Sequence, residues 1–409
     1  MNSRADNQGS AYGRPQHQPN KLLTEVGPGT PCGEMMRRYW HPIAASAELT
    51  SVRPRELRIL GEDLVLFRDG SGKPGLLTAR CQHRGTSLYY GKVEKDGIRC
   101  CYHGWKYDVE GRLLEQPLEP ESSRSRGNIR QPWYPVEERY GLVFAYMGPL
   151  DRKPLLPRYD ILEDLKPGEY FDTSFGSWGT TDDESLPVVP YSWLQISDNF
   201  MDPLHVFVLH STFSGAQFDA EMALIPRMEF IPTEAGIYHS SVRTLEDGRD
   251  FERLVQWIVP NAISVPPIRP LRESPSISMS WIVPVDDTHY FQVLVARWPN
   301  GADRMYRPRP NNNTRVAWGE MTPRERRDYP NDFEAQMGQG ELSLHSEEHL
   351  VTSDRGMVMQ RRMLNQAIKA VQEGGDPPNV HFDADKAMMK IGARNLYRSA
   401  ETAKTETAK

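Results

Sequence analysis

Two pairs of soft ligands carry the first chemical signal in the chain. Cys81 and His83 are followed, after sixteen intervening residues, by Cys100 and His103. Each pair sets a thiolate and an imidazole two or three residues apart, so that one turn can direct both at a single metal centre. Two chemistries fit the set. One is a structural zinc site. The other is a 2Fe-2S cluster in which Cys81 and Cys100 hold one iron and His83 and His103 the other, a mixture that raises the reduction potential above that of an all-cysteine cluster. Spacing alone does not choose between them. Cys101, between the ligands, reads as a small buried hydrophobe, and Cys32, far outside the motif, as a buried thiol.

A second polar set lies in an otherwise apolar stretch and comprises Asp198, Asn199, Asp202, His205 and His210. The two histidines are five apart, slightly off the one-face spacing of a straight helix, and a bend or widened turn lets both reach one metal. Joined by one carboxylate they would complete the facial triad of non-haem Fe(II), which keeps positions open for dioxygen. Taken alone, the pair is described at least as well by two hydrogen-bonded histidines in a core. His345 and His349 are four apart, but no third ligand accompanies them, and they read as exposed or packing residues.

The elements that must position these residues follow from turn formers and periodicity. From Glu56 to Val143, short apolar runs such as Leu57 to Leu60, Leu64 to Phe67 and Leu76 to Ala79 alternate with turn residues such as Asp69 to Gly72. This pattern predicts a small antiparallel β domain. The composition changes at Pro154 and Pro157, which puts a boundary near residue 150. Residues 191 to 213 hold no Gly and, apart from Pro203, no Pro, and suit one or two helices broken near that proline. Strand-like pieces at 236–241, 251–258, 277–282 and 290–296 predict a second, larger antiparallel sheet. Apolar residues recurring at helical spacing within 353–371 predict a long amphipathic helix that ends before Gly374. The fold class is therefore α+β, and the polar ends, 1–20 and 401–409, read as tails.

Composition excludes several function classes. With 409 residues, Lys+Arg 49 against Asp+Glu 55 and a net charge of -6, the chain offers no broad cationic surface for a nucleic-acid backbone. Four cysteines are too few for a secreted disulfide framework. The absence of an apolar leader and of any run of eighteen apolar residues points to a cytoplasmic protein that does not enter a membrane.

Cys81, His83, Arg84, Gly85 and Leu88, followed by Cys100, Tyr102, His103, Gly104 and Trp105, resemble the signature of Rieske-type iron-sulfur domains. Asp202, His205 and His210 behind that signature resemble the catalytic segment of Rieske non-haem iron oxygenases, specifically the large subunit of the phthalate-dioxygenase-like branch of aromatic ring-hydroxylating enzymes. The resemblance implies a Rieske domain over 41–150, a catalytic mononuclear-iron domain over 151–400 with an antiparallel sheet and flanking helices, and an N-terminal segment, 21–40, packed on the latter. It disfavours zinc. It implies that Trp105 and Tyr102 cover the cluster, that His205 and His210 ligate Fe(II), and that Asp202 bridges to the Rieske histidine, His103, of a neighbouring subunit. Asp332, about eight residues before Gly340, would be the carboxylate ligand, with Asp354 as the alternative and more naturally the N-cap of the long helix. Asp198 or Asn199 would hydrogen-bond behind the ligands.

No glycine fingerprint for NAD or flavin occurs in the sequence, so electrons would come from a separate NAD(P)H-fed flavin and iron-sulfur reductase, with or without a ferredoxin. A homotrimer or homohexamer is implied. The substrate class implied is an aromatic carboxylate undergoing cis-dihydroxylation, and an arginine such as Arg227 or Arg243 would suit its carboxylate. O-demethylation or single hydroxylation would use the same ligands, and an electron-transfer protein with the cluster alone is the other reading.

Overall fold

The structure is a computed structural model that describes residues 17–123, 128–175, 188–215, 218–267, 273–299 and 321–398. The tail read over 401–409, and residues 1–16 of the other, lie outside the described residues. Residues 17–20 do not behave as a tail. The Gln18 and Asn20 amides donate to Ser346 Oγ (2.9 Å) and His345 Nδ1 (3.0 Å), and the chain then enters the helices Lys21–Thr24 and Pro31–Met36, which pack on the long C-terminal helix.

The first part of the chain is built of short antiparallel strands, as its turn-rich pattern requires. One four-stranded sheet runs in the order Arg55–Ile59, Glu62–Arg68, Pro74–Thr78, Trp133–Tyr134. A second contains Lys92–Glu94, Gly97–Arg99, Lys106–Tyr107 and Leu113–Glu115. Val65, Phe67, Leu77, Leu88, Ile98, Tyr107 and Leu113 close a small core shared with Cys81, Cys100 and Trp105.

A three-stranded sheet joins this unit to the rest of the chain. Its strands, Trp40–Ala45, Leu142–Tyr146 and Val136–Arg139, bury Trp40, Ile43, Phe144 and Tyr146 in the same core as Met279, Trp281, Phe291 and Val293 of the larger sheet. Phe144 and Trp281 meet edge to face at 5.7 Å. The Leu60 and Gly61 amides also donate to the Pro284 and Val285 carbonyls (3.0 and 2.8 Å). One continuous apolar core thus crosses the composition boundary near residue 150.

Among the described residues the larger sheet has nine strands, all antiparallel, with the central order Glu169–Phe175, His289–Pro299, Ser278–Asp286, Ala262–Ser264, Asp250–Ile258, Gly236–Thr244, Arg227–Pro232. The long helix, Arg355–Gln372, lies on Gly236–Thr244 and buries Gly356, Gln360, Leu364, Ala367 and Ile368. A Cβ at Gly356 would stand 2.2 Å from the Phe230 ring, so the start of the helix can approach the edge strand only because this residue is glycine. Asp354 precedes the helix, but its carboxylate accepts from the Val351 amide (2.7 Å) instead of capping a helical N–H.

Leu364 is fully buried in the main core, and Leu364→Ala should lower stability by about 2–5 kcal/mol. The urea midpoint should fall, while the visible spectrum of the iron-sulfur chromophore in folded protein stays the same; an unchanged midpoint would mean that the helix is not integral to this core.

Candidate active site: an iron-sulfur loop pair and a two-histidine, one-carboxylate cluster

The first four ligand candidates sit on two loops of matching design. The Cys81 carbonyl accepts from the Gly85 amide (2.8 Å), and its own amide donates to the Thr86 carbonyl (2.9 Å); Cys100 repeats both bonds with Gly104 (3.1 Å) and Trp105 (2.8 Å). Each loop turns back at a glycine in the left-handed region, φ 75° at Gly85 and 73° at Gly104, a conformation that residues with a Cβ resist. The two thiols are buried. His83 and His103 face each other with ring centroids 4.5 Å apart, so the loops offer a sulfur side and an imidazole side, the donor set that a mixed-ligand 2Fe-2S cluster takes.

The surroundings tune this set. Trp105 stacks flat on His83 at 4.4 Å and is buried. Tyr107 hydroxyl lies 3.3 Å from Cys81 Sγ. Burial raises the Cys81 thiol; the Tyr107 bond opposes that rise, while Cys100 nearby adds to it. Burial, and then the neighbouring His103 and Arg84, hold the His83 imidazole below its ordinary range. Tyr102 touches the His103 ring at 3.8 Å but is 56 % exposed, so it flanks the site at the surface and does not seal it. Cys101 is exposed, not the buried hydrophobe expected from its place between ligands; Cys32 is buried.

The second set is gathered by a helical irregularity. Helix Trp193–Phe200 carries a full capping box at Ser192 and Gln195 and stops before Pro203. The chain resumes as His205–Phe207 and widens into a π-helical turn over Val208–Phe213, where a spacing of five brings side chains onto one face. His205 and His210 therefore point together, with ring centroids 5.4 Å apart. Asp332, at the first position of helix Asp332–Met337, places Oδ1 3.2 Å from His205 Nε2 and 3.1 Å from His210 Nε2. One ligand atom from each of the three lies within 4.8 Å of the others. Asp354 is not in this group, and His345 is turned to the N-terminal segment.

Hydrogen bonds behind the three groups orient them. The Asp202 carbonyl accepts from His205 Nδ1–H, which turns Nε2 toward Asp332. Asn199 Nδ2 donates to Asp332 Oδ1 (3.1 Å), and Asn199 Oδ1 accepts from Gln336 Nε2 (3.0 Å). Gln336 thereby dictates which end of the Asn199 amide meets the carboxylate. Burial opposes ionisation of Asp332, but His210 and His205 together outweigh it and hold the carboxyl far below the usual range. The Asp202 carboxylate is 42 % exposed and accepts from the Leu204 amide at 2.8 Å.

The structure separates two residues that the sequence paired. Asn199 faces the metal-ligand cluster, whereas Asp198 turns to the opposite side and binds Arg361 (2.6 and 3.3 Å), which also holds Glu348. The two candidate arginines also diverge. Arg227 is exposed and already bound to Asp250 and Thr244, while Arg243 is 1 % exposed and donates to the Leu224 carbonyl (3.1 Å) and Ser241 Oγ (3.0 Å). Gln195, Gln336 and Arg361 were not singled out from sequence. Their only local signal is polar residues at a spacing of four, Gln195 with Asn199 and Asp332 with Gln336.

Residues 39–134 match the Rieske [2Fe-2S] domain family. Across nearly its whole length the chain is 50% identical, over 405 residues, to phenoxybenzoate dioxygenase subunit alpha of Ectopseudomonas oleovorans, covering 99% of this chain and 97% of that protein. The chain belongs to the Rieske-type oxygenase subunits. This Rieske oxygenase is also 29% identical over 398 residues to the phthalate 4,5-dioxygenase oxygenase subunit of Pseudomonas putida, covering 87% and 86% of the two chains. Its fold matches that of the fluorene-bound oxygenase in the ferredoxin complex of carbazole 1,9a-dioxygenase with a TM-score of 0.55 and 21% identity, over 84% and 95% of the chains.

The chain is thus an enzyme, a Rieske-type oxygenase subunit, and its Rieske domain takes a 2Fe-2S cluster and not zinc. Among the described residues, no helix is long and apolar enough to cross a membrane.

Two measurements follow from the geometry. Asn199→Leu removes the donor to Asp332 and should weaken Fe(II) binding by about 10–100-fold in an anaerobic titration, with the cluster spectrum unchanged; undiminished affinity would separate Asn199 from the metal site. Burial pushes Asp198 up to about 6, with Arg361 pulling it back and Glu348 adding to the rise. Because its folded value exceeds the unfolded one of about 3.9, the folded state binds the extra proton, and this group's contribution to stability falls as pH rises from about 4 to about 6. Stability profiles of wild type and Asp198→Asn should diverge in that window, and parallel profiles would contradict the assignment.

Proposed function

We propose that this oxygenase inserts both atoms of dioxygen into an aromatic carboxylate of the diaryl-ether type, by cis-dihydroxylation. The observation that carries the reading is the convergence of His205, His210 and Asp332 to within 4.8 Å, in a chain 50% identical to a phenoxybenzoate dioxygenase subunit. In this reading Cys81, His83, Cys100 and His103 hold the cluster, and His205, His210 and Asp332 hold a mononuclear Fe(II). Two imidazoles and one carboxylate leave such an iron with open positions for dioxygen activation.

The protein's own contribution is orientation. Asp202 holds the His205 tautomer through its carbonyl, and Asn199 with Gln336 fixes the rotation of the Asp332 carboxylate. The Asp202 side chain reaches solvent, which suits it to accept the His103 N–H of a second copy and so pass electrons between subunits of a trimer or hexamer in the cytoplasm.

Metal and product analysis tests the reading. Protein purified without chelator should contain about three irons and about two acid-labile sulfides per chain. With reductase, NAD(P)H and phenoxybenzoate, labelled dioxygen should place two labelled atoms in the first product. One labelled atom would mean monooxygenation. Two irons that persist after Fe(II) is added back would reduce the chain to an electron carrier.

A further inference from the structure

The two loops that carry the cluster ligands are held by different means. Gln131, fully buried, holds the first: its Oε1 accepts from the Gln82 amide (2.9 Å) and its Nε2 donates to the Arg80 carbonyl (2.9 Å). Ions hold the second. The loop from Cys100 to Trp105 springs from Arg99 and Lys106, which face each other across the ladder, and Lys106 faces Glu115 on its other side. Lys92 stands opposite Arg99, which makes Glu94 the diagonal neighbour of Arg99, within reach of a long side chain.

Arg99 is the centre of this group. Its Nε and Nη2 fork onto the Glu94 carboxylate (2.7 and 2.9 Å), Nη2 also reaches Glu115 (2.7 Å), and Nη1 donates to the Gly104 carbonyl (2.8 Å). The five N–H groups of a guanidinium suffice for all of these at once. Lys106, buried, meets Glu94 (3.2 Å), Glu115 (3.4 Å) and Asp96. Two cations thus face three carboxylates, with one negative charge in excess. Arg99 directly precedes Cys100 and is bonded to the residue that follows His103, so its charge is fixed at the loop that offers both a thiolate and an imidazole.

A cluster that takes up an electron gains a negative charge, and its potential follows the charges fixed around it. A nearby cation stabilises the reduced form and raises the potential, and a carboxylate lowers it. The Arg99 side chain is 24 % exposed, so solvent ions screen it only in part.

We propose that Arg99 and its carboxylate partners set the reduction potential of the iron-sulfur cluster, Arg99 raising it and Glu115 lowering it, with Arg99 a positioning residue that keeps its charge against the second loop through Gly104. The inference rests on the reading of Cys81, His83, Cys100 and His103 as the cluster ligands. It makes the driving force for electron delivery depend on paired side chains behind the cluster as well as on the ligands.

Redox titration of the full-length, cluster-replete enzyme, followed by the EPR signal of the reduced cluster, tests the assignment. Arg99→Gln should shift the reduction equilibrium about threefold to tenfold toward the oxidised form, tenfold being about 59 mV for a one-electron couple. Arg99→Lys, which retains the charge without the fork, should keep most of the wild-type potential. Glu115→Gln should shift the equilibrium about twofold to fivefold the other way, and the double variant should return close to wild type. The Glu115 side chain is 45 % exposed and glutamine keeps its size, so this variant gives a reading even where Arg99→Gln loses its cluster. Shifts of the same sign in Arg99→Gln and Glu115→Gln, or no shift in Glu115→Gln, would overturn the assignment. A wild type without the EPR signal of a reduced cluster would instead overturn the ligand reading on which it rests.

Discussion

The hydrogen bonds that key helix Trp193–Phe200 to two distant C-terminal segments are the constraint on which the catalytic domain depends. On one side Gln195 Nε2 donates to the Gln336 and Gly340 carbonyls (3.0 Å each), and Asn199 meets both Gln336 and Asp332. On the other, Gln360 donates to Ser197 Oγ (2.9 Å) and Arg361 to Asp198. Each bond joins residues more than a hundred positions apart, and all are buried or partly buried. In a low-dielectric interior such bonds are strong when made and leave a heavy penalty when broken, so the helix has one rotation and one axial position. That single placement brings Asp332 to two imidazoles 122 and 127 residues earlier in the chain.

The iron-sulfur loops obey a more local rule. Their shape comes from the paired turns at Gly85 and Gly104, whose hydrogen bonds span four and five residues, and from a small core of their own. The two halves of the molecule nevertheless do not move as beads on a linker. The three-stranded sheet containing Trp40–Ala45 and Leu142–Tyr146 buries its side chains in the core of the large sheet, so the loops are carried on a rigid extension of the catalytic domain. Packing of this kind fixes where the cluster loops sit relative to the large sheet.

Legibility from sequence followed the range of the interactions. The cysteine and histidine pairs and the glycines that follow them were readable because a loop of a few residues determines its own shape. The need for a widened turn between His205 and His210 was readable from their spacing of five, and the π-helical turn over Val208–Phe213 supplies it. The errors share one cause. Cys101 lies between buried ligands yet faces solvent. Asp198 and Asn199 are adjacent, and a helix directs neighbours about 100° apart, so only one can face the metal ligands. Residues 17–20 look like a polar tail until His345 and Ser346 are brought beside them.

By itself the sequence determined which chemistry is available, two thiols and two imidazoles on glycine turns and two histidines at a π-helical spacing, together with an α+β fold class. These depend on backbone geometry within a few residues, which side-chain type and spacing specify directly. Only the tertiary structure decided that Asp332 and not Asp354 joins the histidines, that Asn199 and Gln336 orient it, and that Arg243 is buried while Arg227 is paired at the surface. Those outcomes depend on strand register and helix rotation, set by packing across more than a hundred residues of chain, and no local pattern encodes which of several identical side chains that packing will enclose.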